Sequence, residues 1–125
     1  MSIDRNVGAA DPKPMADIDV SMEGLTLHVR DVERSLSFYS KIPGSRLLTH
    51  RPGQFALFSI GDALLGLLRT RAPGFHIEIA TSDLDAVYDH LRKAGVEPLG
   101  PPKDRPWGER TFESVDPDGN RIEFQ

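Results

Sequence analysis

Residues 74–125 repeat the element order of residues 22–70, and this duplication limits the possible folds more than any other feature of the chain. In the first copy, Leu25, Leu27 and Val29 alternate with Gly24, Thr26 and His28, the period-2 signature of a half-buried strand. Asp31 then stands as an N-cap, Val32, Leu36 and Tyr39 follow at helical spacing, and Pro43-Gly44 stops the helix. Three strand candidates come next, Arg46–His50, Gln54–Ser59 and Ala63–Arg69, separated by Pro52-Gly53 and Gly61-Asp62. The second copy alternates over Phe75–Ile79 and is capped at Asp83, and Leu84, Val87, Tyr88 and Leu91 form its helical stripe before Gly95. Its remaining strands are predicted near Val96–Leu99, Arg110–Val115 and Asn120–Phe124, with Pro98 confining the first to a short or edge position. Asp116-Pro117-Asp118-Gly119-Asn120 supplies the turn of a closing hairpin.

Asp83 lies 52 positions after Asp31, so Leu25, Leu27 and Val29 fall on Ile77, Ile79 and Thr81. The chain is therefore expected to be α+β, two tandem βαβββ modules whose helices cover one side of each sheet and leave the other sides facing a shared cleft. Module one spans about residues 22–70 and module two about 74–125. Residues 21–125 form one domain, and residues 1–20, with two prolines and no apolar run, read as a flexible arm. The predicted core comprises Leu25, Leu27, Val29, Val32, Leu36, Tyr39, Ile77, Ile79, Leu84, Val87, Leu91, Ile122 and Phe124, with Phe38 packed beside Tyr39. Thr26, His28, His76, Glu78, Arg121 and Glu123 fall on the cleft side. A net charge of −4 without a basic cluster argues against nucleic acid or an anionic membrane as partner. The absence of cysteine removes disulfides, thiolate metal sites and cysteine nucleophiles, and the chain reads as cytoplasmic.

Several residues resemble those of the vicinal oxygen chelate superfamily, which holds glyoxalase I, bleomycin and fosfomycin resistance proteins and extradiol dioxygenases. The resemblance covers about residues 22–125. It rests on Val29-Arg30-Asp31 with Ser35 and Phe38-Tyr39, on Asp83-Leu84-Asp85 through Leu91 to Ala94-Gly95, on Pro106-Trp107-Gly108 and on the closing DPDGNRIEF. It implies a divalent metal held by residues from the first and last strand of each module. In module two those positions are His76 and Glu123; in module one they are Gly24 and Gly66. His28 lies further along the first strand, roughly 13 Å from the matching position, and does not substitute. Restoring the ligands with Gly24→His and Gly66→Glu is expected to create a Ni²⁺ or Zn²⁺ site.

Two functional readings follow. In the favoured one the cleft binds a small organic molecule with no cofactor or tightly held metal, in the manner of the bleomycin resistance branch, because two glycines remove charge and add room. The candidate ligand-binding residues are His28, His76, Glu78, Trp107, Arg110, Arg121 and Glu123. In the other, a metal-dependent enzyme of lyase, isomerase or dioxygenase type uses His76 and Glu123 as ligands, with water or substrate completing the shell. Each residue also has an ordinary role open to it: a His and a carboxylate on adjacent strands pair as polar groups, Trp107 caps the core, and Arg110 and Arg121 pair with carboxylates such as Glu78 or Glu113. A third possibility, a vestigial cleft acting through a protein partner, has no direct support in the sequence. The resemblance further implies a homodimer.

Overall fold

The computed structural model describes residues 15–125. The strands are β1 (Val20–Val29), β2 (Ser45–Arg51), β3 (Phe55–Ile60), β4 (Ala63–Arg69), β5 (Gly74–Thr81), β6 (Lys103–Asp104), β7 (Arg110–Val115) and β8 (Arg121–Phe124). The helices are α1 (Val32–Tyr39) and α2 (Leu84–Lys93). Both helices start where the sequence predicts. Asp31 accepts a hydrogen bond from the Arg34 N–H, and Asp83 one from the Ala86 N–H, so each cap satisfies a donor that helical geometry leaves open.

The strands form one eight-stranded sheet in the order β2-β3-β4-β1-β5-β8-β7-β6. Each module places its first strand parallel to its last, β1 against β4 and β5 against β8, and the modules join edge to edge through antiparallel β1 and β5. In this seam Gly24 stands opposite Glu78, Leu25 opposite Ile77, and Thr26 opposite His76. Leu25 and Ile77, which are equivalent in the repeat, therefore face each other on the axis relating the modules, and neither belongs to the core cluster of one module.

Each module has its own core between helix and sheet. Val32, Ala56, Phe58 and Leu67 are buried in module one, with Leu27, Val29, Leu36 and Tyr39 packed on them. Leu84, Val87, Phe112 and Phe124 are buried in module two together with Ile18, with Ile79, Leu91 and Ile122 around them. Phe112 stacks on Phe124 with ring centroids 4.6 Å apart. Leu27 and Ile79 lie on the helix side, as the alternation requires.

Three local expectations differ. Residues 1–14 of the expected arm lie outside the described residues, but Met15–Asp17 forms a 3₁₀ turn that brings Ile18 into the core of module two, because an apolar side chain next to that core gains by burial. No strand forms over residues 96–99. Pro98, Pro101 and Pro102 carry no amide hydrogen, so the segment bonds to β7 only from the Leu99 N–H to the Glu113 carbonyl, and strand pairing with β7 is taken up by β6 instead. Phe38 is exposed at 63% and meets Tyr39 edge-on instead of entering the core. No described helix is long and apolar enough to cross a membrane.

Candidate functional site

The cleft between the modules has a volume of about 1230 Å³. Its two halves differ in chemistry. Module one contributes an apolar patch of Phe55, Leu57, Leu64 and Leu68 around Gly66, together with the polar Glu23, Thr26, His28, Thr49, Arg51 and Gln54. Module two contributes His76, Glu78, Glu113, Arg121 and Glu123, all on the cleft side because they alternate with the core residues Ile79, Phe112, Ile122 and Phe124. Trp107 and Glu109 come from the loop before β7, and the Trp107 indole N–H donates to Glu109 at 2.8 Å.

Glu78 is the hub of the polar half. Its Oε2 accepts from the Thr26 hydroxyl at 2.5 Å and from His76 Nε2 at 2.8 Å. Glu123 lies directly across the β5–β8 ladder, close enough for the two carboxyls to share a proton. On the other side of the ring, His76 Nδ1 meets His28 Nε2 at 2.9 Å, so a hydrogen-bonded chain crosses the seam from His28 in module one through His76 to Glu78 in module two. Side-chain exposure of 12% for His76 and 19% for Glu78 keeps this network largely out of water, where charge interactions strengthen.

Each proton position has a physical cause. Burial and the neighbouring Glu78 charge push Glu123 up to about 7, so it keeps its proton well above the usual carboxylate range and can share it with Glu78. Burial also works against ionisation of Glu78, but hydrogen bonds from His76 and Thr26 outweigh it and hold this carboxyl below the usual range. The hydrogen bond to Glu78 raises His76, against the effect of its burial. Burial, reinforced by repulsion from His76 and Arg121, lowers His28. As an imidazolium, His76 donates from both nitrogens and His28 accepts; as a neutral ring, it keeps the Nε2 hydrogen for Glu78 and accepts from His28.

The two glycines of module one are explained by backbone and packing. Gly24 follows a bulge in β1 and has φ +154°, and a Cβ there would lie 1.8 Å from the Leu64 carbonyl oxygen. A Cβ on Gly66 would lie 2.7 Å from the Thr26 hydroxyl, the group that donates to Glu78. The ladders settle the equivalence: Thr26 pairs with Gly66 in module one as Glu78 pairs with Glu123 in module two, so Gly66 is the counterpart of Glu123 without slippage. Placing a ligand at residue 24 therefore collides with the backbone, and one at residue 66 displaces the Thr26 hydroxyl, so the expected restored site is not compatible with this fold.

Of the residues singled out from the sequence, His28, His76, Glu78, Trp107, Arg121 and Glu123 come together around the cleft. Arg110 does not. Its guanidinium is held by Asp85 in the first turn of α2 and by Asp104 in β6, on the helix side of the sheet. Arg121 bonds to Glu113, the ordinary pairing open to it, and still lines the cleft. Glu78, expected only as a ligand-binding residue, lies beside His76 and Glu123, and its same-face spacing from His76 was the available signal. The cleft leucines Leu64 and Leu68 were also missed, because a run of leucines in β4 gives no sign of which ones face a cleft, and so was Leu57 of the largely apolar β3.

The sequence of residues 21–124 matches the Glyoxalase/Bleomycin resistance protein/Dioxygenase superfamily. The chain belongs to this superfamily. Among curated relatives, a bleomycin resistance protein of Geobacillus stearothermophilus is 27% identical, the alignment covering 78% of this chain and 90% of that protein. A superfamily member of known structure from Vibrio splendidus 12B01 superposes with a TM-score of 0.67 at 17% identity, covering 86% of this chain and 97% of the other. Methylmalonyl-CoA epimerase from Mycobacterium tuberculosis superposes with a TM-score of 0.69 at 21% identity, over 82% and 85% of the two chains. At these identities the two structures establish the superfamily fold, two βαβββ modules around a cleft.

Proposed function

We propose that the chain is a small-molecule-binding member of its superfamily, taking an organic ligand with an apolar body and a cationic group into the cleft without a tightly held metal. The observation that carries this reading is the lining of the cleft: a leucine-rich patch from module one shares it with carboxyl groups that come mainly from module two. Four carboxylates (Glu23, Glu78, Glu109 and Glu113) and the partly protonated Glu123, against two guanidinium groups (Arg51 and Arg121), favour a cation as the ligand's polar part. The similarity to a bleomycin resistance protein supports the same class of activity. Titration calorimetry with bleomycin and with a simple arylalkylamine is the test. At least one is expected to bind, and Glu78→Gln is expected to weaken it by about 10-fold or more, as loss of a charged hydrogen bond does. Failure of both compounds to bind at millimolar concentration would remove the cationic assignment.

A second reading, a metal-dependent enzyme, is favoured by one observation. Donor atoms of His76, Glu78 and Glu123 all lie within 4.8 Å of one another. One imidazole and two carboxylates are a donor set that Zn²⁺ and Mn²⁺ accept, so the residues fit the ion the superfamily implies. When bound, such an ion supplies Lewis-acid polarisation of a substrate oxygen. Metal retained at one per chain through dialysis would favour this reading over the first.

The proposal includes a homodimer in the cytoplasm. Met22, Phe38, Leu47 and Leu48 are exposed large apolar residues that a partner surface would cover. Sedimentation at micromolar concentration is expected to give twice the chain mass, with more than about 1,000 Å² buried in all. A monomer at that concentration would exclude it.

A further inference from the structure

We infer that Glu78 is a metal ligand, so that any divalent ion in the cleft is held within module two alone, by His76, Glu78 and Glu123. The inference deepens the metal-dependent reading and rests on it, adding Glu78 to His76 and Glu123 as a third donor from the same module. Three independent features lead to it.

The first is the backbone at the module-one positions. Gly24 cannot carry a ligand, being pressed against the Leu64 carbonyl, and a side chain at Gly66 would displace the Thr26 hydroxyl from Glu78. The second is the register of the seam. Glu78 stands directly opposite Gly24 across β1 and β5, so the residue facing the missing ligand position brings its own carboxylate to the cleft. It shares a face of β5 with His76 and is level with Glu123 in the next ladder, which makes the convergence of the three donors a consequence of strand register. The third is the support around Glu78. The Thr26 hydroxyl fixes its Oε2, and the absence of a side chain at residue 66 leaves room for that hydroxyl. His28 bonds to Nδ1 of His76, which orients the ring and leaves Nε2 directed toward the carboxyls.

The same contacts predict that the ion exchanges readily. Without metal, His76 Nε2 and the Glu78 carboxylate satisfy each other at 2.8 Å, so an ion must displace that hydrogen bond before it gains two of its three ligands. Three protein donors also leave part of the coordination shell to water or to an oxygen-bearing ligand.

The test is titration of Mn²⁺ into full-length protein previously dialysed against a chelator, followed by electron paramagnetic resonance of free Mn²⁺ and by calorimetry. The expected result is one exchangeable Mn²⁺ per chain. Glu78→Gln and Glu123→Gln should each weaken binding by at least the 10–100-fold that loss of a supporting partner typically costs, about tenfold being the minimum. Binding to Glu78→Gln within about twofold of the wild-type value would overturn the inference while leaving the metal reading intact. Absence of binding by the wild type would remove both. Should Glu78→Gln fail to fold, carboxyl-¹³C spectra of wild-type protein titrated with Zn²⁺ at fixed pH decide the matter. The Glu78 and Glu123 signals should move together while Glu109 stays in place, and a stationary Glu78 overturns the assignment.

Discussion

Gly24→His is expected to cost about 3 kcal/mol or more of folding stability, and Gly24→Ala nearly as much, because the penalty begins at the first side-chain atom. At φ +154° an L-residue is strained before any contact is considered. The atom a Cβ would meet, 1.8 Å away, is the Leu64 backbone carbonyl oxygen, which cannot rotate aside as a side chain could. Relief requires β1 and β4 to part, and those strands pair continuously from Gly24–Leu64 to Val29–Arg69 beside the core of module one. Gly66→Ala offers the contrast. Its Cβ meets the Thr26 hydroxyl, a group that can turn away at the loss of one hydrogen bond to Glu78, for about 1 kcal/mol. Urea unfolding of the three variants tests the ranking, and a Gly24→Ala protein within about 0.5 kcal/mol of wild type would show that the seam is looser than described.

Stability should fall as pH rises through neutrality, and Glu123→Gln should remove much of that fall. Glu123 is raised from its ordinary value to about 7, so between those values the native state holds a proton that the unfolded chain has released. Native stability then declines with rising pH across that window, and the protonated form's contribution is lost above about 7. His76, also raised, adds a contribution that is fully present below its unfolded value near 6.5 and lost as pH rises through its folded one, so the two groups act together above pH 6.5. His28 and Glu78 are lowered and act in the opposite sense on the acid side: the His28 contribution is present above 6.5, the Glu78 contribution above its own unfolded value, and each is lost as pH falls through the folded value. Glutamine cannot ionise and resembles protonated Glu123. With solvent screening in a half-open cleft allowed for, Glu123→Gln is expected to exceed wild type by about 1–2 kcal/mol at pH 8 and to match it near pH 5. Thermal melts across pH 5–8 measure this, and a wild type that is the more stable of the two at pH 8 would contradict the shared proton.

The sequence alone determined the duplication, both helix caps, the closing turn and which face of the alternating strands β1 and β5 meets the helices. Apart from the duplication, these are signals read within a few residues. Asp31 and Asp83 cap at short range, Asp116 accepts from the N–H groups of Asp118 and Asn120, and period-2 alternation places Leu27 and Ile79 on the helix side whatever their neighbours are. The motifs that resemble the superfamily are local in the same sense, and the shared positions His76 and Glu123 were legible from their distances to them. Only the tertiary structure decided what surrounds those residues. That β1 meets β5 with Gly24 opposite Glu78 is a long-range register, and it determines both why Gly24 admits no side chain and why Glu78 joins His76 and Glu123. The burial of Ile18, the exposure of Phe38 and the capture of Arg110 by Asp85 likewise depend on segments distant in the chain. Residue type and spacing define what a side chain can do; its pKa, its partner and its access to a ligand come from neighbours that the fold brings together from more than 40 positions away, as His28 and His76 show across their separation of 48.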